Sequence, residues 1–180
     1  MENRLTPTAK SAILNEEREG NIMKKLQTRK LSMFIREWCI ENGFEVSIRY
    51  GCDFAYFYQK DIVRYSFITC KAQDEYMKEF WALHGLKYNC DIFLMSLLHE
   101  IGHYMTEDEW TDEENAIFTL LKISCDGETK EGNFEYWEVP DEKRATEWAI
   151  DFINSNPQKC KKFWTECRKL IMEIYVDAGL

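Results

Sequence analysis

The sequence predicts an α+β fold, mostly helical, with one small antiparallel sheet, and three observations carry that prediction. Between Phe44 and Cys70 apolar and aromatic residues alternate, as in Val46, Ile48 and Tyr50, whereas on either side they recur at steps of three and four. Asn42-Gly43, Val139-Pro140 and Asn156-Pro157 punctuate the chain where helices stop or start. The chain has 180 residues, 45% of them hydrophobic, with only 8 Gly and 3 Pro, which is enough to close one core without staples and excludes a disordered chain.

Residues 1–22 are polar and charged, with Ile13 and Leu14 behind Thr6-Pro7, and read as a leader ahead of a single domain spanning 23–180. From Met23, the positions Leu26, Leu31, Phe34, Ile35 and Trp38 line one face of a helix that Asn42-Gly43 ends. Three short antiparallel strands account for the next stretch: one through Val46 to Tyr50, one through the aromatic run Phe54 to Tyr58, and one after Asp61 through Ile62 to Ile68. Helices then fit 73–84, 90–106, 112–124, 140–154 and 157–177. The two glycines between Asp126 and Tyr136 mark that segment as a loop.

Charge and cysteine usage narrow the partners. With 23 Lys+Arg against 32 Asp+Glu the net charge is -9, so a phosphate backbone repels the chain and nucleic acid is not an expected partner. The N-terminal residues lack the apolar core of a signal peptide, and no stretch approaches the roughly 20 apolar residues of a membrane span. The seven cysteines are odd in number and none is spaced as CxxC, which points to reduced thiols. Together these features lead us to expect a cytoplasmic protein.

Chemistry concentrates in His99-Glu100-Ile101-Gly102-His103, an HExxH pattern inside the apolar run DIFLMSLLHEIGHYM. Residues four apart on an α-helix lie one turn apart on nearly the same side, so both imidazoles can converge on one ion. Glu100 projects beside them, where a carboxylate can take a proton from a metal-bound water. Phe93, Leu94, Leu97, Leu98 and Ile101 would seat this helix in the core. The plainer alternative makes His99 and His103 half-buried histidines of an apolar helix. The third histidine, His84, reads as a residue at a helix end and not as a ligand. A catalytic zinc usually takes three protein ligands and a water, so one more ligand is needed. Spacing leaves it open between the acids of TEDEWTDEEN, which include Glu107 and Glu114, and those of VPDEKRATEWAIDFI, which include Glu142 and Glu147. An acid in a first helical turn, as Glu142 is, is favoured by the helix dipole whether or not it binds metal.

HEIGHY followed by Glu142-Lys143-Arg144-Ala145-Thr146-Glu147-Trp148-Ala149 resembles the ImmA/IrrE family of bacterial and phage zinc metallopeptidases, whose pattern is HExxH and, on a later helix, ExxANxFA. The resemblance covers about residues 44 to 154. It implies a zincin-like fold, with the small sheet packed on the active-site helix. It also implies one Zn2+ held by His99, His103 and Glu142, with Glu100 as catalytic base. Ala145 and Ala149 match the small positions, Trp148 replaces the aromatic Phe, and Thr146 stands where the family often has Asn. Tyr136 and Tyr104 are candidate oxyanion donors beside the metal. The function this leads us to expect is zinc-dependent endopeptidase activity on a protein or peptide substrate, a regulatory protein linked to a phage or other mobile element. An extended peptide would add to an open edge of the strand DIVRYSFIT. Two alternatives stand beside it: a zincin-fold module that binds or inhibits a host protein without catalysis, and a zinc hydrolase of a small amide.

Overall fold

In a computed structural model of the chain, residues 28–66 and 71–177 are described. The leader expected at 1–22, the helix start at Met23 and the strand residues Phe67 and Ile68 lie outside the described residues. The first helix, α1 (28–41), buries Leu31, Ile35, Trp38 and Cys39. It ends as its last turn predicts: the Asn42 amide donates to the Trp38 carbonyl at 3.2 Å and Gly43 takes φ +80°.

Three strands follow, β1 (Ser47–Tyr50), β2 (Ala55–Phe57) and β3 (Ile62–Tyr65), in the order β1-β3-β2. The expected antiparallel sheet is therefore a mixed one: β2 pairs antiparallel with β3, but β1 runs parallel to it. Burial explains the order. In β3, Ile62, Val63 and Tyr65 are all buried, as suits a central strand, whereas β1 and β2 are largely exposed or half-buried and take the edges. Residues 51–54 carry the chain past β3's place, so that β3 enters between strands already laid down. The expected open edge on DIVRYSFIT is thereby corrected as well: β3 is paired on both sides, and β2 presents the edge nearest α3.

The rest is helical: α2 (Lys71–Leu83), α3 (Ile92–Thr106), α4 (Asp112–Ser124), α5 (Lys130–Trp137), α6 (Pro140–Ser155) and α7 (Pro157–Asp177). The class is α+β, mostly helical with a small three-stranded sheet. Asp91 caps α3 by accepting from the Phe93 amide at 2.9 Å, and Thr111 with Glu114 forms a capping box on α4. Pro140 and Pro157 occupy the starts of α6 and α7 as expected. The segment expected as a loop from Asp126 to Tyr136 contains α5. Its signal is a cap and not a periodicity: the Thr129 hydroxyl accepts from the Gly132 amide, and Asn133 Nδ2 donates to the carbonyls of Gly127 and Thr129 at 2.9 and 2.7 Å. Gly132 is needed there because a Cβ would collide with the backbone of Asp126.

The core is built around α3. Phe93, Leu94, Leu97, Leu98 and Ile101 are buried, and α6 packs extensively across α3. Beyond α6, Trp38 of α1 stacks on Phe163 of α7 at 4.2 Å and meets Phe152 of α6 edge-on at 5.9 Å. No helix among the described residues is long and apolar enough to cross a membrane.

Candidate metal centre

The crossing of α3 and α6 is what assembles the centre. A Cβ at Gly102 would lie 3.0 Å from the Ala145 Cα and in collision with its carbonyl oxygen, so the two backbones meet at a contact only glycine permits. Ala145 and Ala149 are fully buried on the facing side. One turn earlier on each helix stand His99 and Glu142, and the crossing brings them together.

His99 Nε2 is 2.9 Å and His103 Nε2 3.4 Å from the same oxygen of Glu142, Oε2. The two imidazole rings are 4.8 Å apart and nearly perpendicular. These three residues offer ligand atoms within 4.8 Å of one another and are placed to hold a metal ion. A tetrahedron with bonds of about 2.1 Å has edges of about 3.4 Å. The two histidine-to-carboxylate separations, 2.9 and 3.4 Å, lie near that edge length. Of the other acids left open by spacing, Glu107 accepts from the Tyr56 hydroxyl, the Glu114 carboxylate accepts from the Thr111 amide at the start of α4, and Glu147 is not among the converging ligands.

Electrostatics follow from the packing. Glu142 is buried, which by itself raises a carboxyl pKa, but hydrogen bonds and charge from His103 and His99 hold it well below the ordinary carboxylate range. It is thus ionised, as a ligand must be. Glu100 faces the same cleft, and its carboxyl is pushed up to about 7, chiefly by desolvation and further by the charge of Glu142, against the opposing influence of His99 and a backbone hydrogen bond at Tyr56. A carboxyl in that range can both accept and return a proton near neutral pH.

The sequence assigns no role to two partners of the centre, although Thr146 holds the Asn position of the second motif. Thr146 Oγ1 lies 3.1 Å from His99 Nδ1, the ring nitrogen turned away from Glu142. Lys122, on α4, places its ammonium 2.7 Å from Glu142 Oε1 and 2.6 Å from Asp141 Oδ2. The only sequence signal for Lys122 is its position in the last turn of a helix, where a cation is ordinary.

The two tyrosines part company. Tyr136 donates to Glu142 Oε1 at 3.2 Å and lines the cleft, and burial together with the charge of Glu142 raises its phenol pKa, so it stays a donor. Tyr104 instead packs against the core and meets Tyr56 edge-on at 6.2 Å. His84 is away from the centre, its ring tilted against Phe80 at 4.2 Å and 3.0 Å from Glu138 Oε1. The cleft itself has a volume of about 410 Å³ and is bounded by His99, Glu100, Tyr136 and Glu142 on one side and by Cys52 to Phe54, leading into β2, on the other. Comparisons with family models, with curated proteins and with solved structures return no match.

Proposed function

We propose that this protein is a zincin-like metallopeptidase of the ImmA/IrrE type, binding one zinc through His99, His103 and Glu142 and hydrolysing a peptide bond in a protein substrate. The observation that carries the reading is the convergence of both HExxH histidines on one oxygen of a carboxylate 43 residues away in sequence, with Glu100 beside them. When bound, zinc supplies Lewis acidity toward a carbonyl and lowers the pKa of water to about 7.

The chain's own residues do the rest. Glu100 accepts the proton of the attacking water and returns it to the leaving amine, a role that its raised pKa suits. Tyr136 stays protonated and donates its one hydroxyl proton to Glu142 Oε1, so to act as an oxyanion donor its hydroxyl must turn from that carboxylate toward the substrate. β2, an edge strand among the described residues, runs on from the cleft-lining residues 52–54 and favours an extended peptide over a small amide, because an edge strand offers backbone groups to a substrate backbone.

The test uses three proteins, wild type, Glu100→Gln and His99→Ala, incubated with zinc and a randomised peptide library read by mass spectrometry. Wild type is expected to cleave, Glu100→Gln to retain one zinc and lose cleavage, and His99→Ala to lose both. Cleavage by Glu100→Gln at the wild-type rate would sink the catalytic assignment. Zinc-loaded wild type that cleaves nothing, while Glu100→Gln and wild type act equally on a captured target, would favour the binding module instead.

A further inference from the structure

We propose that Lys122 is a positioning residue of the metal centre: its ammonium, with the Tyr136 hydroxyl, holds Oε1 of Glu142 so that Oε2 alone faces the two histidines. This rests on the metal reading of His99, His103 and Glu142, and it adds a residue from a helix that neither motif touches.

The geometry divides the Glu142 carboxylate cleanly. Oε1 receives Lys122 Nζ at 2.7 Å and the Tyr136 hydroxyl at 3.2 Å, whereas Oε2 receives His99 Nε2 at 2.9 Å and His103 Nε2 at 3.4 Å. A carboxylate that chelates an ion through both oxygens must turn both toward it, and two donors on Oε1 oppose that turn. Single-oxygen coordination keeps a tetrahedral position open for water, the arrangement that hydrolysis needs. Lys122 does this without adding net charge to the centre, because Asp141 Oδ2 sits 2.6 Å from the same ammonium and balances it.

The rest of α4 shows that this contact is not a by-product of tight packing. Phe118 is its one buried side chain, against Trp110, while Ile117, Leu120, Leu121 and Ile123 are exposed. On a helix seated so lightly, Lys122 is nevertheless drawn in to 21% side-chain exposure to reach a carboxylate buried to 5%. Ordering a lysine costs up to about 2 kcal/mol of side-chain entropy, which the paired acids offset.

The experiment compares wild type, Lys122→Met and Lys122→Arg for zinc affinity by chelator competition, for the visible absorption of the cobalt-substituted protein, and for melting of the metal-free form. The expected result for Lys122→Met is zinc binding weakened about 10- to 100-fold, as when outer partners of a ligand are lost. Its cobalt absorption should fall as the carboxylate turns to chelate and the coordination number rises. Lys122→Arg, which keeps charge and donors, should recover most of both. Wild-type affinity in Lys122→Met, tighter zinc, or a lower melting temperature with an unchanged cobalt spectrum overturns the proposal, the last because it marks a mere anchor for α4. Should Lys122→Met fail to fold, Lys122→Gln supplies the same comparison, with wild-type affinity and spectrum again overturning it. The underlying metal reading fails separately, if His99→Ala binds zinc as wild type does.

Discussion

A hydroxyl both donates and accepts, so Thr146 can serve either tautomer of His99: it donates to Nδ1 when Nε2 carries the proton toward Glu142, and accepts from Nδ1 when Nε2 is a ligand. Removing it while keeping the shape, as in Thr146→Val, leaves the buried ring nitrogen unpaired. Zinc affinity measured by chelator competition should drop about 10-fold or more with the helical circular dichroism unchanged. Thr146→Asn keeps a polar partner and should retain most of the affinity. An unchanged affinity in Thr146→Val would mean that the ring is held by packing alone. His99, Glu100 and His103 were legible in the sequence because their relation is local, four residues of one helix. Lys122 was not, and Thr146 held a place in the second motif without a role, because these contacts span 20 and 47 residues of chain, where no periodicity operates.

At the level of elements, the α3–α6 crossing carries both stability and chemistry. Gly102→Ala must drive a methyl group into the Ala145 backbone, and overpacking of this kind typically costs about 1 to 3 kcal/mol. The expected outcome is a lower melting temperature in metal-free protein and a disproportionate loss of zinc binding, since parting the helices separates Glu142 from His99. Equal zinc affinity in a folded Gly102→Ala protein would show that the crossing can slide without cost to the centre. The helices were readable because α3, α6 and α7 combine strong apolar faces with caps or prolines at their starts. The short α5 was not, having little amphipathic pattern and a start signalled by Thr129 alone. Strand order was not readable: the expected open edge fell on β3, which is central, because alternation by itself says neither which strand lies between the others nor which neighbour runs parallel.

For the molecule as a whole, metal and thiols act on stability in separate ways. Zinc that binds the folded form alone should stabilise it by about 2.7 kcal/mol when free zinc is 100 times its Kd, read as a rise in melting temperature that a chelator reverses. The buried thiols act through pH. Burial pushes Cys39 up to about 12 and Cys160 up to about 11, against 9.0 for the unfolded thiol. The folded form therefore keeps its thiol protons while the unfolded chain releases them, so stability is full below about pH 9 and falls as pH rises through that value. One unit above it the loss is about 1.4 kcal/mol per buried thiol, and Cys39→Ala should lessen the decline in unfolding free energy, read from urea titrations between pH 8 and pH 10, by that amount. Alkylation of the native protein should label the exposed Cys52 and spare Cys39, Cys160 and Cys167 until denaturant is added. Rapid native labelling of Cys39 would contradict the packing of α1 on α6 and α7.

By itself the sequence determined what is local: the α+β class, the approximate bounds of most helices, and an HExxH pair whose spacing aims two imidazoles at one point. The periodicities of helix and strand and the chemistry of caps act within a few residues, so they can be read along the chain. Spacing left the distant acid open and the resemblance implied Glu142; only the tertiary structure decided which hydroxyl and which lysine lie against the histidines and that acid, and that β3 lies between β1 and β2. Those choices are made where helices and strands pack, by backbone contact at Gly102 and Ala145 and by the need to pair every charge that is taken out of water.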